Sequence, residues 1–479
     1  MSLLALADSV LFPGFAGTAP PDWVRRRVAG GLGGVILFGR NCSSPGQLAG
    51  LTAALRAERG DVLVATDEEG GDVTRLFAGR GSPVPGAYAL GVVDDVGLTR
   101  SVSAALAARV AAAGITWTLG PVADVNSAPD NPVIGVRSFG ATPELVSRQV
   151  AAAVDGTQAA GVAACAKHFP GHGDTTVDSH VGVPTVGPDL DGALAPFRAA
   201  VAAGVATVMT GHLLVPGFGP QPATLNPALI AGLLRGDLGF DGVVISDALE
   251  MGAIAGTVGI GAGAVLALLA GVDALCLGGD EAGEPVADAA RDAIVAAVRD
   301  GRLPEDRLAE AAGRVQKLAG RFPGGPGQGG PGAGGAGELD ALGLEAARRA
   351  LRVAGSPRLP AGAPVVVRLD PAPTIAVGYT PWGLGGLLPG ATELRVGPGE
   401  PVPALPAGRP VVVVARDATR VGWVGAAVDG LLAAYPGAVV VEMGLPGPVP
   451  PAAGWIATGG ASAASARAAA DILLGGGDG

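Results

Sequence analysis

Residues 161–180 read GVAACAKHFPGHGDTTVDSH. An apolar run of strand length stops on Lys167 and His168, and the segment after it is too rich in Gly and Pro to continue as a helix. A strand that ends on basic side chains and opens into such a loop presents polar groups at its C-terminal end. The same pattern recurs on both sides. Strand-like runs LLALADSVLF, GGVILFG, DVLVATD, ITWTLGPVADV, GVAACAKHF, ATVMTGH, GVVISD and VDALCLGG fill the first 280 residues. Between them lie helical stretches at Pro21–Ala29, Pro45–Arg59, Val96–Ala113, Pro143–Ala160, Leu190–Ala203, Asn226–Leu238 and Ala282–Arg299. Strand and helix in steady alternation call for a parallel sheet, and eight such units in about 300 residues favour closure into a (β/α)8 TIM barrel. Asp67, Asp124, Lys167, His168, His212 and Asp247 interrupt these runs at their C-terminal ends. That is the rim on which a TIM barrel builds its active site.

The chain has 479 residues, too many for one ordinary domain. The segment GRFPGGPGQGGPGAGGAGELD has the composition of a flexible linker. The expected division is a barrel over 1–320, a Gly/Pro-rich linker over 321–340 and a small α/β sandwich domain over 341–479. In that last part EAARRALRVAG reads as a helix. PVVVRLD, PTIAVGY, RPVVVVARD and AVVVEMG read as buried strands, and a final helix runs near Ala461–Leu474.

Apolar residues make up 49% and charged residues 16%, enough for a large core, and the net charge of −11 offers no attraction to nucleic acid or to anionic bilayers. Cys42, Cys165 and Cys276 are scattered and suggest neither disulfides nor a zinc site. The first residues lack a basic region and carry Asp8, and the apolar stretch around Val265–Leu277 is broken by Asp273. These features point to a cytoplasmic enzyme without a membrane span. No GxGxxG follows the first strand, and no cofactor is expected.

All four histidines, His168, His172, His180 and His212, fall between positions 168 and 212. His168 and His172 have i,i+4 spacing, but Pro170, Gly171 and Gly173 forbid the helix that would turn both toward one metal, so no metal site is expected. Asp178 and His180, separated by a single residue, can form a dyad in which the carboxylate raises the basicity of the imidazole. The plainer alternative is that Asp178 caps a turn and His180 is merely exposed. Asp247 closes the strand GVVISD, either as an N-cap or as a nucleophile on the rim.

The pieces TDEEGGDVTRL, GPVADV, VRSFG, KHFPGHGDTTVDSH, MTGH and VISDAL occur in an order that resembles family 3 glycoside hydrolases, and within them the NagZ-type β-N-acetylglucosaminidases. The resemblance implies Asp247 as nucleophile, His180 as general acid/base and Asp178 as its partner. It further implies Asp67, Arg75, Arg137, Lys167 and His168 as residues holding a terminal N-acetylglucosamine, with Met209 and His212 lining the site. The implied activity is that of a retaining exo-β-N-acetylglucosaminidase acting on cell-wall (muropeptide-type) or chitin-type oligosaccharides. The alternatives are a phosphorylase of the same family or an inactive sugar-binding protein. Substrate-assisted catalysis would need a paired Asp–Glu, which Asp67 and Glu68 superficially offer. The expected partner is carbohydrate alone, and the expected state is a monomer or weak homo-oligomer. The second domain, without histidine, is expected to support the barrel or shape the cleft.

Overall fold

In the computed structural model, residues 1–177, 182–187, 189–278, 283–324 and 336–476 are described. The first eight strands are β1 (Leu11–Pro13), β2 (Gly34–Leu37), β3 (Leu63–Thr66), β4 (Trp117–Thr118), β5 (Cys165–Phe169), β6 (Thr207–Thr210), β7 (Val243–Ser246) and β8 (Leu275–Leu277). They pair in parallel as β2-β3-β4, β5-β6-β7 and β8-β1. Bridges Trp117–Ala163 and Ile245–Ala274 join these groups, and β1 lies beside β2, so the ring closes in chain order as a TIM barrel. The barrel interior is filled: Phe12, Ile36, Leu63, Trp117, Cys165 and Ile245 form one apolar cluster, which Val315 and Leu318 of the terminal barrel helix Glu305–Arg321, and Phe322 just after it, extend. Trp117 is fully buried, meets Phe12 edge to face, and donates its Nε1–H to Thr207 Oγ1 at 2.9 Å. Truncating such a side chain to Ala costs about 3–5 kcal/mol.

The second domain is a six-stranded sheet. Its strands are β9 (Arg352–Gly355), β10 (Val365–Leu369), β11 (Thr392–Val396), β12 (Val411–Ala415), β13 (Val439–Glu442) and β14 (Gly454–Ala457), in the order β11-β10-β12-β13-β14-β9 with only β9 antiparallel. Alternation sends Val365, Val367, Val413 and Val440 to one face, against helix Gly422–Ala434. It sends Val366, Val412, Val414 and Val441 to the other, against helix Ala463–Leu473. That is the α/β sandwich.

Some expected elements differ. LLALADSVLF splits into a helix, Leu3–Asp8, and β1. Ser2 caps the helix by accepting the Ala5 N–H, and the Leu/Ala run is apolar enough to suit either structure. Asn226–Leu238 becomes a π-helical run, Ala228–Asp237. RVAG of the expected helix EAARRALRVAG is instead β9, while helix Ala336–Ala350 takes the C-terminal part of the Gly/Pro-rich segment. PTIAVGY is not a strand. Pro371 and Pro373 have no N–H to give a ladder and Gly378 sits at φ +67°, so the chain crosses toward the barrel as a loop. Among the described residues, no helix is long and apolar enough to cross a membrane.

Candidate active site

The strand ends open into a cavity of about 520 Å³. Asp67, Arg137, Lys167, His168 and Asp247 line it from the barrel, and Ile375 and Ala376 line it from the second domain.

Lys167 reaches the cavity from the middle of β5. Its ammonium donates to Asp67 Oδ1 at 2.7 Å and contacts Glu69 Oε1 at 2.6 Å. Glu69 is also gripped by Arg137, whose Nε and Nη2 donate to its two oxygens at 3.0 and 2.8 Å. Burial opposes the charges of Glu69, Arg137 and Lys167. Arg137 and Lys167 nevertheless outweigh it and hold the Glu69 carboxyl well below the usual range. Asp67 and Glu69 likewise hold the Lys167 ammonium above its own. The turn that aims Glu69 inward needs glycine: Gly71 lies at φ +61°, and a Cβ there would stand 2.4 Å from Gly86 Cα.

Beyond β4 the chain bridges to β5 again at Val122–Lys167, which brings the fully buried Asp124 beside His168. Asp124 Oδ1 accepts the backbone N–H of His168 and of His172, at 3.1 and 2.7 Å, and Oδ2 lies 2.7 Å from His168 Nδ1. Asp124 thereby fixes the orientation of the His168 ring in the cavity wall. His172 contacts Thr175 Oγ1 through Nδ1 at 2.5 Å, and burial lowers its pKa to about 4. Gly173 admits no side chain, since its Cβ would meet Val125 O at 1.9 Å. The Pro/Gly loop is thus closely fitted to the loop that follows β4.

Asp247 sits at the end of β7, half-buried in the cavity wall, with its N–H donated to Thr210 O and Oδ1 accepting the Ala248 N–H at 2.8 Å. Met209 lines the same cavity. His212 does not. It is fully buried, with Nδ1 at 2.8 Å from Thr224 Oγ1 and Nε2 at 2.9 Å from Ala248 O, so both ring nitrogens are turned to protein groups behind the wall. The site-lining role expected for it is corrected to support of the residue next to Asp247. Asp178 and His180 lie outside the described residues.

Arg75 lines the cavity, yet its Nη1 donates to Val377 O at 3.0 Å and its Nη2 to Ala376 O at 2.7 Å. Glu68 faces away from the cavity and accepts the N–H groups of Arg75 and Leu76, both at 2.9 Å. Burial pushes its carboxyl up to about 7 against those hydrogen bonds. It therefore anchors the Arg75 turn and offers no carboxylate for an acetamido group. On the same loop Asp72 is paired with Arg416 of the second domain and accepts the Ala461 N–H at 2.6 Å. Sequence reading had missed Glu69 and given Asp124 no role. Among the described residues, no three His, Cys, Asp or Glu side chains converge as a metal would require.

Residues 24–318 match the N-terminal domain of glycosyl hydrolase family 3. A beta-hexosaminidase of Methylococcus capsulatus is 37% identical over 249 residues, which are 51% of this chain and 74% of that protein. A family 3 beta-N-acetylglucosaminidase from Paenibacillus sp. str. FPU-7 shares the fold over 99% of this chain and 97% of its own, with a TM-score of 0.86 and 34% identity. NagZ from Neisseria gonorrhoeae, solved with N-trifluoroacetyl-D-glucosamine, covers 71% of this chain and 97% of its own, with a TM-score of 0.60 and 31% identity. The matched region spans more than half of the sequence, and the chain belongs to glycosyl hydrolase family 3 as a glycoside hydrolase.

Proposed function

We propose that the enzyme removes single β-linked N-acetylglucosamine units from the nonreducing end of cell-wall fragments of the muropeptide type or of chitin-type oligosaccharides, with retention of configuration. Asp247 attacks C1 while His180, supported by Asp178, gives its proton to the departing oxygen. Water then attacks the glycosyl ester at C1, His180 takes the water proton, and the Asp247 carboxylate is restored. The retaining scheme ordinarily uses two carboxylates, and here an imidazole fills the second role. With this reading go a division of the chain at 321–340, a cytoplasmic location and a monomeric or weakly associating state.

The observation that carries the reading is the Asp67–Lys167–Glu69–Arg137 network on the cavity that also holds Asp247. Fixed donors and acceptors at that density suit vicinal hydroxyls and exclude a purely apolar ligand. Lys167, Asp67, Arg137, His168 and Arg75 hold the sugar in this scheme, and Met209 bounds it.

The test is turnover of p-nitrophenyl N-acetyl-β-glucosaminide with and without inorganic phosphate, with the sugar product followed by NMR. Free N-acetylglucosamine, β anomer first, at a rate indifferent to phosphate is expected. N-acetylglucosamine 1-phosphate would replace hydrolysis by phosphorolysis, and no product under either condition would leave an inactive sugar-binding protein.

A further inference from the structure

The segment 371–378 leaves the end of β10 and crosses to the mouth of the barrel. Two ties hold it there. Arg75, on the loop after β3, donates to both Ala376 O and Val377 O. Ala376 packs against Val122, Val133 and Ile134, on the chain that follows β4. Between these ties Ile375 lines the cavity while 62% exposed, so its side chain is open to whatever enters there. Docking of the domains does not need Ile375, because Arg75 bonds only backbone carbonyls and Ala376 makes the apolar contact.

The position of the ties around the ring has a chemical consequence. In a closed ring of eight strands in chain order, β3 and β7 are four strands apart and stand on opposite sides of the mouth. Asp247 follows β7, so the segment walls the cavity on the side away from the proposed nucleophile. A pyranose presents C1 and C4 at opposite ends of its ring. With C1 at Asp247, the C4 hydroxyl points toward the β3–β4 side, and a further sugar on O4 would have to occupy the space where Ile375–Val377 stand.

We propose that segment 371–378 of the second domain, latched by Arg75, closes the nonreducing side of the cavity and restricts cleavage to one terminal sugar, with Ile375 as the residue that sets this specificity. The inference rests on the N-acetylglucosaminidase reading above and adds a role for the second domain to it.

The probe is p-nitrophenyl β-chitobioside, with the first-formed sugar identified by chromatography. Wild-type enzyme should release N-acetylglucosamine first and no intact chitobiose. A variant lacking Pro373–Ile375, and the milder Ile375→Gly, should release intact chitobiose. Relative to the monosaccharide substrate, direct release of the two-sugar unit should rise on the order of tenfold or more, the scale on which a small change in the fit of a binding site discriminates between substrates. Ile375→Gly guards against a deletion that fails to fold. Intact chitobiose from wild type, or N-acetylglucosamine alone from a folded Ile375→Gly and a folded deletion, would overturn the wall. A change that follows the size of the aglycone instead would put the segment on the leaving-group side and overturn it equally. Failure of wild type to turn over p-nitrophenyl N-acetyl-β-glucosaminide is a separate result, which would remove the activity and the wall with it.

Discussion

Lys167 Nζ and Glu69 Oε1 meet at 2.6 Å with side chains only 2% and 7% exposed, and Arg137 completes the pair from the other side of Glu69. Two cations and two carboxylates held out of water are tolerable only together, because removing one partner leaves an uncompensated buried charge. Glu69→Gln should therefore destabilise the fold by about 3–5 kcal/mol, read by urea unfolding. A loss under about 1 kcal/mol would mean that water already screens the network.

Lys167→Ala should destabilise the fold as Glu69→Gln does, because it leaves Asp67 and Glu69 short of a buried cation. In the protein that remains folded, Lys167→Ala should raise KM more than it lowers kcat, since the hydroxyls Lys167 holds are present in both ground and transition states. Arg75→Ala, which also frees the Ala376 and Val377 carbonyls, should shift KM in the same direction. Unchanged KM in both folded variants would remove the two residues from contact with the sugar.

Glu68 gives a pH signature. Its folded pKa of about 7 stands above the ordinary 4.5, so the folded state keeps a proton that the unfolded chain releases. The stability this protonated form contributes is complete below about pH 4.5 and is lost as the pH rises through 7. Glu68→Gln keeps an acceptor for the Arg75 and Leu76 N–H groups and does not titrate. Relative to wild type it should gain about 2–3 kcal/mol between pH 5 and pH 8. A difference that stays constant with pH would contradict the assignment.

The strand ends were legible because barrel strands carry their chemistry at one end, and Asp67, Lys167, His168 and Asp247 all line the cavity as the pattern implied. Glu69 was not legible. Three carboxylates stand in a row in TDEEGG, and which of them faces inward is decided by Gly70 and Gly71 at φ +77° and +61°, a backbone choice that periodicity does not encode. The glycine pair itself was the available signal. His212 shows the opposite error: its place after β6 put it at the rim, but Thr224 and Ala248 O hold its ring behind the wall. PTIAVGY misled because its apolar alternation outweighed Pro371, Pro373 and Gly378 in the reading.

His180 must give a proton to the leaving oxygen and later take one from water, so the rate should follow a bell-shaped pH profile. His180→Ala should cost on the order of 10²–10⁴-fold with leaving groups that need protonation, and much less in the first step with nitrophenyl glycosides. Asp178→Asn should cause a smaller, parallel loss, since the imidazole keeps its place but loses the charge that supports its protonated form. Equal slowing of activated and unactivated substrates by His180→Ala would show that it is not the acid.

The most direct measurement is covalent trapping. A fluorinated N-acetylglucosaminide with a good leaving group should accumulate as a glycosyl ester, seen as one added sugar in the intact mass and mapped by peptide sequencing to Asp247. Asp247→Asn should fold normally, take no label and show no turnover. A label on any other carboxylate, or retained turnover in Asp247→Asn, would contradict the assignment of Asp247 as the nucleophile.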